Sequence, residues 1–228
     1  AYVATMLDAR PYQAETVKKA VDYAAENPRG RLLVVCPPGG GKTLIAAMMM
    51  RTLASERGLR GIAWAHRREL VGQMRDHLIE SGIPREMIGV VMAGDKRSNP
   101  DAPIQVGSVD TLRHRAKPHA DFVVSDEAHR DASDGRRKLR ALYPDAFHCG
   151  FTATPVRLDG RGLRAEYDEM IIAAQPSELI AKGWLAALDI YTVPEDLLPD
   201  LRGVKEVGGD FEQKALESVT NKSVLVGN

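Results

Sequence analysis

The sequence predicts an α/β fold in which a doubly wound, mainly parallel sheet carries helices on both faces. Three observations lead there. Short β-branched apolar runs alternate with stretches of helical periodicity along most of the 228 residues. Most of these runs are continuously apolar rather than alternating, the pattern of strands covered on both sides. The first run also passes directly into a glycine-rich turn and a helix, the arrangement that places a helix N-terminus at the end of a strand.

The elements follow in order. Residues 12–26 set Ala14, Val17, Val21 and Ala24 on one stripe, and Asn27-Pro28 ends the helix. A strand is expected over 32–36, then a helix over 43–57 stopped by Gly58. A second strand, 61–65, precedes a helix over 69–81 that aligns Leu70, Met74 and Leu78 and stops at Gly82. Further strands are expected at 88–92, 104–108, 122–125, 147–151 and 189–193. A short helix over 177–182 has Ser177 as its cap and Gly183 behind it. From 194 to 209 prolines, glycines and acids replace the periodicity, which reads as an irregular connection, and 211–219 returns to a helical pattern.

Composition narrows the function classes. Hydrophobic residues make up 44% and charged residues 27%, enough to bury a core and too apolar for disorder. Lys and Arg number 31 against 31 Asp and Glu, so a globally basic nucleic-acid binder is ruled out while a local basic face is not. Cys36 and Cys149 are too few for a disulfide framework and lack metal-ligand spacing, so buried thiols are expected. The apolar runs are too short to span a bilayer and no secretory leader is evident, so the expectation is a reduced, cytoplasmic protein with no membrane partner.

The chemistry begins at Pro37-Pro38-Gly39-Gly40-Gly41-Lys42-Thr43. Glycines let backbone N–H groups turn in around phosphates, and the dipole of the following helix favours an anion. Lys42 can reach the β- and γ-phosphates, and the Thr43 hydroxyl can ligate Mg²⁺. Pro38, Gly39, Gly40, Gly41, Lys42 and Thr43 are therefore the expected binding residues of a nucleoside triphosphate, although Cys36 stands where the full pattern has its first glycine. The strand 122–125 ends in Asp126-Glu127-Ala128-His129. Carboxylates at the C-terminal end of a parallel strand face the crevice where ligands bind. Asp126 is suited to hold Mg²⁺, and Glu127 to orient and deprotonate the attacking water. The expected catalytic set is Glu127, Lys42 and Asp126, with Thr43 and Asp126 on the metal and ATP with Mg²⁺ as cofactors.

Asp126-Glu127-Ala128-His129 resembles the DEAH box of superfamily 2 helicases and translocases, and Phe151-Thr152-Ala153-Thr154-Pro155 resembles their third motif. Gln13, within Arg10-Pro11-Tyr12-Gln13, resembles the upstream glutamine that reads the adenine edge, and Arg10 can lie against the base. Residues 65–70 resemble motif Ia and 107–112 motif Ib, which lie along the nucleic-acid track in that family. The longer stretch 152–160, with 177–185, is similar to the branch of type III restriction subunits, repair translocases and phage-type DNA helicases. The resemblance implies a RecA-like ATP-binding domain 1 over 10–193, an N-terminal extension over 1–9, and a connection over 194–228 toward a second RecA-like domain. It also implies a hydrogen-bonded link from His129 to Thr152 or Thr154, coupling the ATP site to nucleic acid.

DNA is the preferred polymer under this resemblance, and RNA remains open. Arg67, Arg68, Thr111 and Arg113 are the expected nucleic-acid contacts, with Arg75, His114 and Arg115 nearby. The basic run Arg136-Arg137-Lys138 with Arg140 reads instead as a solvated helix face. Aromatic residues are 5% of the chain, which favours a track that grips backbone over one that stacks bases. No motif of the second lobe, including its arginine finger, follows Val193, so that lobe is an expected partner in cis or trans and turnover by this chain alone should be slow. Two other classes compete: a phosphate-loop NTPase such as a small-molecule kinase, and an ATP-switched binding module without turnover.

Overall fold

In a computed structural model, residues 9–65, 68–114, 117–156 and 162–187 are described, with 201, 204, 206–207, 210–211 and 217. The chain divides into two units, 1–185 and 186–228. In the first unit, helix α1 (Pro11–Glu26) starts with Pro11, whose fixed φ suits the first helical position and which needs no N–H partner there. Strand β1 (Arg31–Val35) leads to α2 (Lys42–Arg51), which continues into a π-helical turn, Thr52–Glu56. Then come β2 (Gly61–Ala65), α3 (Arg68–Glu80), β3 (Ile88–Val91), β4 (Ile104–Ser108) and α4 (Val109–His114). The unit continues with β5 (Phe122–Asp126), α5 (Asp134–Arg140), β6 (Phe147–Thr152), β7 (Glu169–Ile172) and α6 (Pro176–Ala181).

Seven strands form one sheet in the order β3-β4-β2-β5-β6-β1-β7, and every pairing is parallel. A parallel sheet puts all strand C-termini on one edge, so the loops after β1, β2, β4, β5 and β6 emerge together. One face packs Leu32, Val34, Ile104, Val106, Phe122 and Val124 against α1, α2 and α3 through Val17, Ile45, Met49, Val71 and Leu78. The other face carries two smaller clusters, one around Ile62, Trp64, Val123 and Leu139 and one around Leu33, Ala128, Leu163 and Tyr167. The fold expectation of helices on both faces of a parallel sheet is met.

Several details differ from the sequence reading. Strand β7 was not foreseen: it is an edge strand that leaves Met170 and Ile172 about half exposed, so it lacks the continuous burial the other runs signal. Helices α4 and α5, of six and seven residues, are too short to show periodicity. Ser177 is not the cap of α6; Gln175 precedes it, Pro176 opens it, and Glu178 Oε2 accepts from Gln175 N–H at 3.2 Å. In the second unit, Phe211 opens no helix but pairs with Glu206 in the antiparallel ladder of β8 (Glu206–Val207) and β9 (Asp210–Phe211). The strand expected over 189–193 and most of the extension 1–9 lie outside the described residues.

Candidate functional site

The glycine-rich turn after β1 is built from backbone geometry. Gly39 and Gly41 have φ of 75° and 83°, a left-handed region closed to most side chains, and Gly41 caps α2. A Cβ at Gly41 would also strike Gln13 Nε2. The Gly40 carbonyl is held from two sides: Tyr12 O–H donates to it at 2.6 Å and Gln13 Nε2 at 3.0 Å. In a trans peptide N–H and C=O point opposite ways, so anchoring this carbonyl toward α1 turns the Gly41 N–H away from it. The first N–H groups of α2 have no acceptor within their own helix, so the turn presents a concavity of donors with Lys42 and Thr43 at its mouth. Cys36, in the position of the missing glycine, is fully buried beneath the turn, and a Cβ at Gly40 would lie 2.6 Å from its sulfur.

Gln13 is 4% exposed, and its carboxamide is spent on the protein. Its Oε1 accepts from Arg10 N–H at 2.9 Å while Nε2 serves Gly40. The residue expected at the adenine edge thus ties the start of α1 to the glycine-rich turn.

The acidic box stands two strands away. Cys36 N–H donates to Thr152 O at 2.9 Å, and Asp126 is the register partner of Phe151, so the turn after β1, Thr152 and Asp126 occupy three neighbouring strands. Burial pushes the Asp126 carboxyl above the ordinary aspartate range; the Glu127 N–H, which donates to its Oδ1 at 2.9 Å, and the positive charges of Lys42 and Arg136 pull the other way. Glu127 has φ 53°, the one positive φ outside glycine among the described residues, a strained conformation that surrounding contacts must hold.

Arg130 N–H donates to Glu127 O at 3.0 Å, and the peptide before Glu127 is held by Arg136. Arg136 is 4% exposed, and its Nη1 donates to Asp126 O at 2.8 Å, Ser125 Oγ at 2.8 Å and Asp131 Oδ1 at 2.6 Å. Ser125 Oγ also accepts from Trp64 Nε1 at 3.0 Å, and Tyr167 O–H donates to Asp131 Oδ2 at 2.5 Å. Next to this cluster Arg137 and Arg140 both clasp Glu166, a carboxylate 3% exposed. Burial of Glu166 opposes its charge, but the two arginines outweigh that and hold its carboxyl below the usual range. The solvated basic face expected over 136–140 is therefore corrected: of this run Lys138 is the exposed residue without such a clasp, and the arginines hold the fold together. The compensating acids are Asp131, five residues before Arg136, and Glu166, 26 residues after Arg140, and only the fold brings the second one near.

His129 bridges the box and the third motif. Its Nδ1 lies 3.4 Å from Thr152 Oγ1 and 3.2 Å from Glu127 Oε2. Thr152 in turn donates to Thr154 O at 2.9 Å and accepts from Thr154 N–H at 3.1 Å. The expected trio of His129, Thr152 and Thr154 is thus in contact, with Thr152 in the middle.

The nucleic-acid candidates fall at the ends of β2 and β4 on the same sheet edge. Thr111 is fixed by Ser108, whose Oγ donates to its Oγ1 at 2.8 Å and accepts from its N–H at 3.2 Å. Arg113 and His114 are exposed at the end of α4. Arg75 is turned inward instead, with a side chain 14% exposed that pairs with Asp76 at 3.3 Å. Arg68 opens α3, and Arg67 and Arg115 lie outside the described residues. No helix among the described residues is long and apolar enough to cross a membrane.

Comparison with known proteins agrees with this geometry. The family model of the type III restriction enzyme res subunit matches residues 6–157, more than half the chain. A 51.5 kDa protein of Lactococcus phage (isolate 7-9) is 27% identical over 193 residues, covering 85% of this chain and 39% of its own. The chain spans between 32% and 39% of the length of the curated relatives it matches. In fold it is similar to the UvsW helicase from bacteriophage T4, with TM-score 0.59 and 21% identity over 72% of this chain and 59% of that one. The Hef helicase domain of Pyrococcus furiosus gives TM-score 0.57 and 20% identity over 96% of this chain and 53% of that one. Through its matched residues the chain belongs to the type III restriction enzyme res-subunit family, and its seven-stranded parallel sheet is the RecA-like fold that the helicase structures share.

Proposed function

We propose that the chain is the ATP-binding first motor domain of a nucleic-acid-dependent ATPase that couples ATP hydrolysis to movement on, or unwinding of, DNA. The observation that carries this reading is the junction at Thr152: its carbonyl holds the phosphate turn, its hydroxyl meets His129 of the acidic box, and it begins the third motif. A change at the phosphates therefore has a short route to the residues that face a polymer.

On this reading the N–H groups of 39–43 and Lys42 hold the triphosphate, Pro38 shapes the turn, and Arg10 and Gln13 border the base. The hydroxyl of Thr43 and the carboxylate of Asp126 are hard oxygen donors of the kind Mg²⁺ takes one or two of. Mg²⁺, when bound, neutralises charge on the β- and γ-phosphate oxygens. Glu127, held by its strained backbone, orients the attacking water and accepts its proton. Arg67, Arg68, Thr111 and Arg113 grip phosphates of the polymer, DNA in preference to RNA. A second RecA-like lobe, in cis or in trans, completes the site with an arginine worth roughly 10³–10⁵ in rate.

The test is polynucleotide binding by fluorescence anisotropy, with single-stranded DNA, duplex DNA and RNA, in ATP, in ADP and without nucleotide. The reading predicts nucleotide-dependent affinity that falls steeply with salt, and loss of about one unit of the salt slope in Arg113→Ala. A chain that binds Mg-ATP yet shows no polynucleotide affinity at low salt contradicts a motor and favours a different phosphate-loop enzyme.

A further inference from the structure

After α6 the chain turns at Gly183 and brings Trp184 and Leu185 to the phosphate turn. A Cβ at Gly39 would lie 2.9 Å from Leu185 Cδ1, so the leucine covers the rim of the turn. The Trp184 ring lies 5.7 Å from the Tyr12 ring at an interplanar angle of 35°. The Arg10 guanidinium stands 5.5 Å from the indole centroid and the Lys182 ammonium 5.1 Å from it. Tyr12 in turn holds the Gly40 carbonyl, and Arg10 N–H bonds to Gln13. One connected cluster of two aromatic rings and two cations therefore borders the turn on the Gln13 side.

Core packing does not account for this cluster. Trp184 is only partly buried and lies outside the three apolar clusters of the sheet. A partly exposed indole is a π surface that Arg10 and Lys182 cover here, and a planar base can stack on it in place of a cation, which is then released toward the phosphates. We infer that Trp184 is a binding residue for the nucleobase of the triphosphate, supplying an indole face beside Arg10. The inference rests on the nucleotide reading above and deepens it. Stacking accepts any base, so Trp184 raises affinity for nucleoside triphosphates over bare polyphosphate without choosing among bases.

The experiment titrates the 228-residue chain with Mg-ATP and, separately, with Mg-tripolyphosphate, by calorimetry and by tryptophan emission. The chain has two tryptophans, and Trp64 is 1% exposed, so emission missing from Trp184→Phe belongs to Trp184. ATP is expected to change that emission and tripolyphosphate to leave it alone. Trp184→Ala should weaken ATP binding about tenfold or more. It should leave tripolyphosphate affinity unchanged, while Trp184→Phe keeps most of the ATP affinity. Equal losses for both ligands, an emission change with tripolyphosphate as large as with ATP, or undiminished ATP affinity in Trp184→Ala would each overturn the inference. Lys42→Ala, run in the same series, separates the two levels. ATP binding that ignores Lys42 sinks the nucleotide reading itself, whereas binding that needs Lys42 but ignores Trp184 sinks only the role of the indole.

Discussion

On the face covered by α1, α2 and α3, Leu32, Val34, Ile104 and Phe122 meet alanine, methionine and leucine side chains in one continuous apolar layer. On the opposite face, two smaller apolar clusters flank a buried polar one, where Arg136 and Asp131 join Ser125, Trp64 and Tyr167. Apolar contact fills volume and is indifferent to direction. A buried ion pair is a weak source of stability but holds its partners in one geometry, here the carbonyl of Asp126 beside a strained Glu127. The comparison teaches that one face supplies stability while the other sets the position of the carboxylates.

The largest effects should break that comparison most clearly. Phe122→Ala empties a fully buried site and is expected to cost about 3–5 kcal/mol by denaturant unfolding. Arg136→Met should cost a similar amount, about 3–5 kcal/mol, because Asp131 is left buried without its partner. Pairing Arg136→Met with Asp131→Leu should recover most of that loss, whereas no change of partner charge restores Phe122→Ala. If the double variant is no more stable than Arg136→Met, the polar face does not work as an ion pair.

Acid should act on the polar face first. Burial holds His148 neutral, with its pKa lowered to about 4, and its Nε2 lies 2.9 Å from Tyr143 O. The unfolded chain binds a proton near pH 6.5 while the folded chain resists it. The stability associated with neutral His148 is therefore intact above about 6.5 and declines as pH falls toward about 4, by about 3 kcal/mol in all. Glu166, held below the usual carboxylate range, adds loss in the same direction at lower pH. His148→Phe should flatten the decline between pH 6.5 and 4 in unfolding curves; an unchanged slope would assign it to other groups. Smallest of all, Lys18→Ala removes an exposed pair with Asp22 on α1 and should leave the melting temperature where it was.

How much of this was legible follows from the same physics. Strands 61–65 and 104–108 match the apolar runs to the residue because both are buried along their whole length. The glycine-rich turn was legible because positive φ demands glycine and glycine is visible in a sequence. The contact of His129 with Thr152 was expected from resemblance alone and is present at 3.4 Å. Arg136 was misread because charge in a sequence does not say whether a partner waits across the fold. Tyr167 reaches Asp131 from 36 residues away, and no local pattern carries such a contact. The position of Trp184 was hidden for the same reason, since only the fold brings it to Tyr12 and Arg10.

The measurement that bears most directly on the central claim is steady-state ATP hydrolysis by this chain, with and without single-stranded DNA, duplex DNA and RNA, beside Lys42→Ala and Glu127→Gln. A first motor domain predicts Lys42-dependent Mg-ATP binding with turnover roughly 10³–10⁵ below that of a completed site. Fast, polynucleotide-stimulated turnover that Glu127→Gln abolishes would contradict the need for a second lobe, and would mean that this chain completes its own site.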